Sequence, residues 1–520
     1  MWRRSAHFLA RICALPVAEI CVLYITVHKV ILMRKYSDSE IAELVKNLCS
    51  IEKEPEWLEF KCNNKDPKLI GEYISALSNS AAMLERPCAY IVWGIEDSSH
   101  EIVGTSFNYE LMKKGNEDIS LWLSHQLSPT PLLSYRHIEL DGKNIGILKI
   151  EAAKYEPVKF EGIEFIRRGE HKKKLKDCPD LERLLWESFS RQSFETGIAM
   201  ENVTGDEVLR LLDFSSYFEL LKLSIPTSRN AILKALEEDK MIIRNDFGKY
   251  DIMNLGAVLL AKRLNEFDHL SRKSIRVIQY AGNSRSSQTI KEQVGAKGYA
   301  VGFEGLINYI SGIIPSNEVI GKAFRTIVPM YPELSVREIV ANAIIHQDLT
   351  MKGTSVIIEV FSDRFEVTNP GAPLIEPERF LDHPPISRNE KMAAFMRRVG
   401  ICEERGSGFD KIVFESEFFQ LPAPEIEVFD SHTKVTLLSH KEYKDMNKED
   451  RIRSCYLHAC LKRVNREAMT NTTLRERFGI DDKNRSMVSR LIKETMEKGL
   501  IKLENVSAGD KSKRYLPFWA

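Results

Sequence analysis

One helix in the middle of the chain carries a polar stripe that restricts how the surrounding domain can fold. Across residues 333–348 apolar residues recur at helical spacing, while Glu338, Asn342 and His346 are four residues apart and so share one face. Burying a carboxylate, an amide and an imidazole without partners is costly. We therefore expect the stripe to line a cleft, where the amide oxygen can bind Mg²⁺ and the carboxylate can orient or deprotonate water.

Two segments downstream add features of a phosphate-binding site. Residues 356–361 and 364–368 predict two strands of a hairpin that ends at Asn369-Pro370-Gly371. A glycine-rich turn, Gly406-Ser407-Gly408, then precedes a helix and can offer backbone N–H groups to a phosphate. No P-loop motif of the Walker type occurs, which excludes a P-loop motor or helicase.

The order of an E-x-x-x-N helix, a strand ending in N-P-G and a G-S-G turn resembles the Bergerat-type ATP site of GHKL proteins. More closely, it resembles the variant in bacterial ATP-binding transcriptional regulators with RecG-like C-terminal domains. The resemblance implies that Glu338 is the base of a weak ATPase and that Asn342 binds Mg²⁺. The residues implied to bind ATP are Asn342, His346, Asn369, Gly371, Gly406, Ser407 and Gly408.

This chain departs from the family pattern in two ways. Asn369 stands where the family usually has an acidic residue, and one glycine of that box is missing. Nucleotide binding is therefore expected more than efficient hydrolysis. The alternative is that Glu338 and Asn342 only cap a buried polar network and that the glycines only form turns.

The first third of the chain alternates predicted helices and strands. The motif E-F-K at 59–61, the G-x-x-D turn at 94–97 and the segment F-I-R-R-G at 165–169 resemble the Schlafen/AlbA-like domain. That family includes DNA-binding regulators and also nucleases that use two glutamates and an aspartate. The resemblance therefore implies contact with nucleic acid and leaves cleavage open.

Three acidic residues occupy the positions of those nuclease carboxylates. Glu54, Glu59 and Asp97 could together hold a divalent metal that activates water against a phosphodiester. The alternative, which we favour, is that Glu59 pairs with Lys61 or Arg168 within the fold and that Asp97 only forms a turn. Basic residues nearby predict a phosphate-binding patch, with a solvated charge run as the alternative. The predicted contacts are Lys61, Arg167, Arg168, Lys172 and Lys173.

The end of the chain is basic although the whole chain, with 74 basic and 74 acidic residues, is neutral. Residues 451–520 contain 16 Lys and Arg against 8 Asp and Glu, a local excess of 8 positive charges. Two short helices followed by two short strands predict a winged helix-turn-helix. Arg485, Arg490 and Lys493 would contact DNA from the recognition helix, and a protein-contact surface is the alternative.

The length of 520 residues requires several domains, because single cores stop growing at roughly 250–300 residues. The predicted fold class is multidomain α+β. Its parts are an upstream extension at 1–36, an AlbA/Schlafen-like α/β domain at 37–190, a helical, winged-helix-like region at 191–253, a Bergerat-type α/β sandwich at 254–440 and a C-terminal winged helix at 441–520.

The first residues resemble a signal peptide only weakly. The apolar run at 12–27 is shorter than the roughly 20 residues that span a bilayer, and Glu19 interrupts it. We expect translation to start at Met33 and no membrane attachment. The nine scattered cysteines, with no C-x-x-C pair, are typical of reduced thiols and a cytoplasmic protein.

Two functions fit these patterns. The first is a homo-oligomeric transcriptional regulator that binds ATP with Mg²⁺ and binds DNA, or alternatively RNA, under nucleotide control. The second is an ATP-gated, metal-dependent nuclease of the Schlafen kind, acting in defence against phage. Cleavage of labelled DNA or RNA that is lost in Glu59→Ala would separate the second function from the first.

Overall fold

The structure, a computed structural model, describes residues 36–191, 193–320, 325–402, 408–505, 509 and 512–520. The chain forms two compact units, one made of Met1–Gln192 with Arg244–Lys249 and one of Ser193–Ile243 with Tyr250–Ala520. Apart from Tyr36, the extension predicted at 1–36 lies outside the described residues. Within the described part of the chain, no helix is long and apolar enough to cross a membrane.

The first unit opens with a helix whose start the local sequence specifies. Ser37 caps α1 (Asp38–Cys49) by accepting the backbone N–H of Glu40, whose carboxylate accepts the Ser37 N–H in return. Its apolar face is buried, as the spacing predicts. The other helices of this unit are α2 (Pro67–Met83), α3 (Ile119–Gln126) and α4 (Pro179–Arg191).

The first unit also contains two four-stranded sheets, in the orders β1-β2-β7-β6 and β10-β9-β8-β5, and the two-stranded sheet β3-β4. The strands are β1 (Leu58–Lys61), β2 (Cys88–Trp93), β3 (Lys113–Lys114), β4 (Glu117–Asp118), β5 (Leu127–Ser128), β6 (Leu133–Leu140), β7 (Lys143–Glu151), β8 (Lys159–Phe160), β9 (Ile163–Arg168) and β10 (His171–Lys174). The predicted hairpin turn joins β6 to β7, where Asp141 and Gly142 have φ values of 53° and 76°.

The second unit is built on a six-stranded sheet of order β15-β14-β18-β19-β21-β20 and a three-stranded sheet of order β11-β13-β12. Its strands are β11 (Ile198–Val203), β12 (Ile242–Arg244), β13 (Tyr250–Met253), β14 (Arg276–Tyr280), β15 (Thr289–Val294), β16 (Ser316–Ile320), β17 (Arg325–Pro329), β18 (Ile357–Val360), β19 (Arg364–Pro370), β20 (Glu425–Phe429), β21 (His432–Leu438), β22 (Ile501–Leu503) and β23 (Tyr515–Pro517).

Helices cover the sheets of the second unit and include the helix with the polar stripe, α10. They are α5 (Gly205–Leu211), α6 (Phe214–Leu220), α7 (Arg229–Glu238), α8 (Asn254–Leu260), α9 (Tyr299–Ser311), α10 (Glu333–His346), α11 (Glu390–Arg398), α12 (Gly408–Phe418), α13 (Lys448–Val464), α14 (Asn471–Phe478) and α15 (Arg485–Glu497). One apolar core runs from Val203 to Ile501 through this unit. The predicted α+β class is confirmed, and the finer division of this unit stays a prediction.

Candidate functional site

Helix α10 and strand β19 border a cavity of about 550 Å³. Glu338, Asn342 and His346 line it from α10, Asn369 lines it from β19, and Gly408 lines it from the start of α12. A volume of this size is ordinary for a small-molecule site. The structure thus brings together five of the residues predicted to act on a nucleotide, in a cavity that also has apolar walls.

The first residue of α12 lies directly against the polar stripe. A Cβ atom added to Gly408 would lie 2.8 Å from Oε2 of Glu338 and 3.5 Å from Nδ2 of Asn342. Side chains do not tolerate the shorter of these separations, so a larger residue here requires the stripe to move. Gly406 and Ser407, the other residues of the predicted glycine-rich turn, lie outside the described residues.

Asn369 and Thr433 are register partners on β19 and β21, and both line the cavity. Nδ2 of Asn369 donates to the carbonyl of Pro370 at 3.2 Å, and the Thr433 hydroxyl donates to the carbonyl of Gly371 at 2.8 Å. The nitrogen of the Asn369 amide is thus committed to the backbone, which makes Oδ1 the atom suited to accept a bond from a ligand. Sequence analysis missed Thr433, because its partner is 64 positions earlier in the chain.

Gly371, which the resemblance implies to bind ATP, has a conformational role. Its φ is +100°, and a Cβ atom there would lie 3.0 Å from the Cβ of Asp348 and 3.2 Å from Nη1 of Arg388. Both conditions restrict this position to glycine. Gly371 is not among the residues that line the cavity, and its contact with ATP stays a prediction.

The carboxyl end of α10 is held by a segment that the sequence did not single out as functional. Asn389 donates two hydrogen bonds to carbonyl groups there, and Arg388 donates to the carbonyls of His346 and Ala372. Burial and the nearby Arg388 cation lower the pKa of His346, so its imidazole is neutral near pH 7. The cavity therefore has a fixed cation and a neutral imidazole on one wall.

Asp410, in the first turn of α12, should make stability depend on pH. Burial raises its pKa to about 6, and among the described residues its Oδ1 has no hydrogen-bond partner. Because the folded state holds this proton more tightly than the unfolded state, the contribution is greatest below the unfolded pKa of about 4. It is lost as the pH rises through about 6.

Asp410→Asn should therefore be more stable than the natural chain at about pH 7.5 and gain much less at about pH 4. Thermal unfolding monitored across this range measures the difference. The same pH slope for both chains would contradict the assignment of this titration to Asp410.

In the first unit, the predicted nuclease carboxylates are paired with cations. Arg167 has no exposed surface and forms ion pairs with Glu59 and, at 3.3 Å, with Glu54. Lys61 lies 2.5 Å from Glu59 and 3.2 Å from Asp97. The described residues contain no group of three acidic, histidine or cysteine side chains placed to hold a metal ion. The pairing of Glu59 with Lys61, one of our two interpretations, is present.

The predicted basic patch divides into buried and exposed residues. The prediction that Arg167 contacts phosphate is wrong, because its guanidinium is wholly buried among the carboxylates. Lys61 and Lys172 are mostly buried and paired, Lys172 with Glu72. Arg168 and Lys173 are exposed on the β9–β10 hairpin and stay predicted contacts for nucleic acid.

Helix α15 has one buried face and one exposed, largely polar face. Val488, Leu491, Ile492 and Thr495 are buried. The side chains on its other face are exposed: Arg485, Ser486, Ser489, Arg490 and Lys493. The three predicted DNA contacts on this helix are therefore accessible.

The structure is that of a multidomain α+β protein with a cavity of about 550 Å³ in its second unit. Residues 54–176 match the family model described as Schlafen, AlbA_2, and residues 353–437 match the one described as Putative ATP-dependent DNA helicase recG C-terminal. The predicted pairing of these two domain types is confirmed, and together they indicate a protein associated with ATP and DNA. The second match begins after α10, so Glu338, Asn342 and His346 lie outside it.

Comparison with whole proteins adds little. The crystal structure of the DIP2311 protein from Corynebacterium diphtheriae is 16% identical, with 92% of this chain and 97% of that chain covered and a TM-score of 0.40. No curated protein matches the chain.

Proposed function

We propose that this chain is an ATP-binding, DNA-binding transcriptional regulator whose nucleic-acid affinity is controlled by nucleotide. One observation carries the proposal: the cavity that collects Glu338, Asn342 and His346 from α10 also collects Asn369 and Gly408 from two other elements. Residues of three sequence motifs that are far apart in the chain thus line one cavity. Turns and a capped polar network would not require such a cavity.

The base end of the site would form at Asn369. Adenine presents an exocyclic amino group, which donates hydrogen bonds, and Asn369, a residue that lines the cavity, has in Oδ1 an atom that can accept one. An asparagine held in this way can replace the acidic residue of the family pattern. The apolar residues Val367 and Ile375 would contact the flat faces of the base.

The phosphate end would form where α12 begins against the polar stripe. The amide oxygen of Asn342 is a suitable ligand for the Mg²⁺ that accompanies ATP, and Gly408 opens an 11-residue helix whose N-terminus favours negative charge. Glu338, only 4% exposed, is the candidate base. We propose binding with slow hydrolysis at most.

Two surfaces would contact nucleic acid. The basic face of α15, within the proposed C-terminal winged helix, is accessible along its length. In the Schlafen/AlbA-like domain, Arg168 and Lys173 would contact phosphates from the β9–β10 hairpin. A cytoplasmic location and self-association are parts of the same proposal.

The nuclease alternative receives less support from the first unit, because Arg167 and Lys61 already neutralise Glu54 and Glu59. A divalent metal would have to displace two cations from that cluster. Incubation of the purified chain with labelled DNA and RNA, with Mg²⁺ or Mn²⁺ and with or without ATP, should give no cleavage. Cleavage that Glu59→Ala abolishes would establish the nuclease instead.

Asn342→Ala should bind the magnesium complex of a nonhydrolysable ATP analogue about tenfold more weakly than the natural chain, because a metal ligand is removed. Calorimetric titration measures both affinities, and a titration without Mg²⁺ provides the control, since the two chains should then differ much less. Equal affinity with Mg²⁺ would show that the central assignment is wrong.

A further inference from the structure

Helix α12 has its first residue at the nucleotide cavity and its last turn among buried charges of the C-terminal helices. At the start, Gly408 lies against Glu338, and Phe409 and Ile412 line the cavity. At the end, the carboxylate of Glu417 is mostly buried. One rigid element, 11 residues or roughly 16 Å long, therefore contacts both places.

The charges at the far end form a cluster that we call the coupling cluster, made of Glu417, His458 and Arg477. Nδ1 of His458, on α13, lies 2.9 Å from Oε2 of Glu417, and Nε of Arg477, on α14, lies 3.7 Å from Oε1 of the same carboxylate. His458 and Arg477 are both buried. Nε2 of His458 lies 3.1 Å from the hydroxyl of Thr473, also on α14.

This cluster joins α12 to the helices that position α15. The guanidinium of Arg477 also donates to the carbonyl of Leu421, just after α12, at 2.5 Å. Helix α15 packs against both α13 and α14 in the same core. A displacement of α12 therefore changes the surroundings of a buried, charged cluster and not those of a solvated surface.

A second contact runs parallel to the first. Phe380 lines the cavity and packs edge-on against Phe409, with ring centroids 5.5 Å apart. Two residues earlier, the carbonyl of Glu378 accepts a hydrogen bond of 2.6 Å from Tyr456 on α13. The cavity wall and the C-terminal helices are thus connected on two sides.

We propose that α12, acting through the coupling cluster and the Tyr456–Glu378 contact together, transmits nucleotide occupancy of the cavity to the DNA-binding face of α15. This inference rests on the proposed function and gives its regulation a physical route. A ligand that contacts Gly408 and Phe409 stabilises one position of α12, and the coupling cluster passes that position to α13 and α14. By linkage, DNA bound at α15 must change nucleotide affinity by the same factor.

The test compares Glu417→Gln with Glu467→Gln in the full chain. The first variant keeps the side-chain shape while removing the buried charge, and the second removes an exposed carboxylate that pairs with Lys462 on α13. Anisotropy of a labelled random-sequence DNA duplex is measured with and without the magnesium complex of a nonhydrolysable ATP analogue. Calorimetry with and without the duplex gives the reciprocal factor.

In the natural chain and in Glu467→Gln we expect nucleotide to change the DNA Kd by about fivefold or more. In Glu417→Gln we expect nucleotide alone and DNA alone each to bind with a Kd within about twofold of that of the natural chain. The effect of nucleotide on the DNA Kd, however, should fall to less than about twofold. Unchanged coupling in Glu417→Gln overturns the inference while leaving the proposed function intact. If the natural chain does not bind nucleotide, or if nucleotide does not change its DNA Kd, both the inference and the proposed function are overturned.

If Glu417→Gln does not fold, Tyr456→Phe replaces it, since this change removes only a hydroxyl, which donates to the carbonyl of Glu378 and accepts from Nε1 of Trp519 at 3.3 Å. A smaller effect of nucleotide on the DNA Kd in Tyr456→Phe than in the natural chain supports the inference. An effect as large as in the natural chain overturns it.

Discussion

Replacing Arg167 by methionine is expected to destabilise the first unit by about 3–5 kcal/mol. The guanidinium is wholly buried and neutralises two carboxylates, those of Glu54 and Glu59. Its removal leaves uncompensated charge in a poorly hydrated site, and the pairing of Glu59 with Lys61 compensates for only part of it. Truncating one partner of a buried ion pair costs more than the pair itself contributes, because the remaining charge stays buried.

Urea unfolding monitored by tryptophan fluorescence measures this loss. Four of the five tryptophans among the described residues, those at positions 57, 93, 122 and 186, lie in the first unit, so the signal reports mainly on that unit. The adjacent Arg168 supplies a matched control, since it is 58% exposed and pairs with the exposed Asp180. Arg168→Met should cost no more than about 1 kcal/mol. Equal losses in the two variants would mean that the buried cluster does not stabilise this unit.

Gly408→Val is expected to weaken binding of magnesium-ATP analogue about a hundredfold, or ~2.7 kcal/mol. The first added atom would already lie 2.8 Å from Oε2 of Glu338 and 3.5 Å from Nδ2 of Asn342, and valine adds two methyl groups beyond it. Either the stripe or the start of α12 must move, and both are needed by the ligand. The loss should exceed that of Asn342→Ala, because two groups are displaced.

The control for this variant is another helical glycine changed to the same residue. Gly305 on α9 has no atom within 4 Å of its added Cβ, so Gly305→Val should fold and keep the natural nucleotide affinity. Calorimetric titration of the two variants separates a blocked site from a general effect of valine in a helix. Natural affinity in Gly408→Val would place the nucleotide away from α12.

Features set by neighbouring residues could be predicted from the sequence. The capping box of Ser37 and Glu40, the Asp141-Gly142 turn and the shared face of Glu338, Asn342 and His346 each depend on a few adjacent positions, and each is present. Periodicity and turn chemistry act at this range. The meeting of α10 with β19 followed from the family resemblance and not from spacing.

Features that depend on distant partners could not be predicted. Arg167 has the same charge in the sequence whether it faces solvent or two carboxylates, and one of those, Glu54, is 113 positions away. Arg167 was predicted to contact phosphate, but it is buried and pairs with Glu54 and Glu59 inside the first unit. The hydrogen bonds that Arg388 and Asn389 donate to the end of α10, and the pairing of Thr433 with Asn369, likewise join residues more than 40 positions apart.

The first unit is built from two separate stretches of the chain, and the second stretch, Arg244–Lys249, makes contacts that a shorter fragment would lose. Arg86 stacks on Trp57 and forms a 2.6 Å ion pair with Asp246, while Phe247 stacks on Tyr36 with ring centroids 4.7 Å apart. Any fragment that stops at residue 192 deletes both partners, together with the lysine that lowers the pKa of Glu40 to about 2. Between these two stretches the chain runs through Ser193–Ile243, which belongs to the second unit. The contacts of Asp246 and Phe247 with the first unit therefore close a loop of more than 50 residues. Cutting the gene at the apparent domain boundary would yield an incomplete domain.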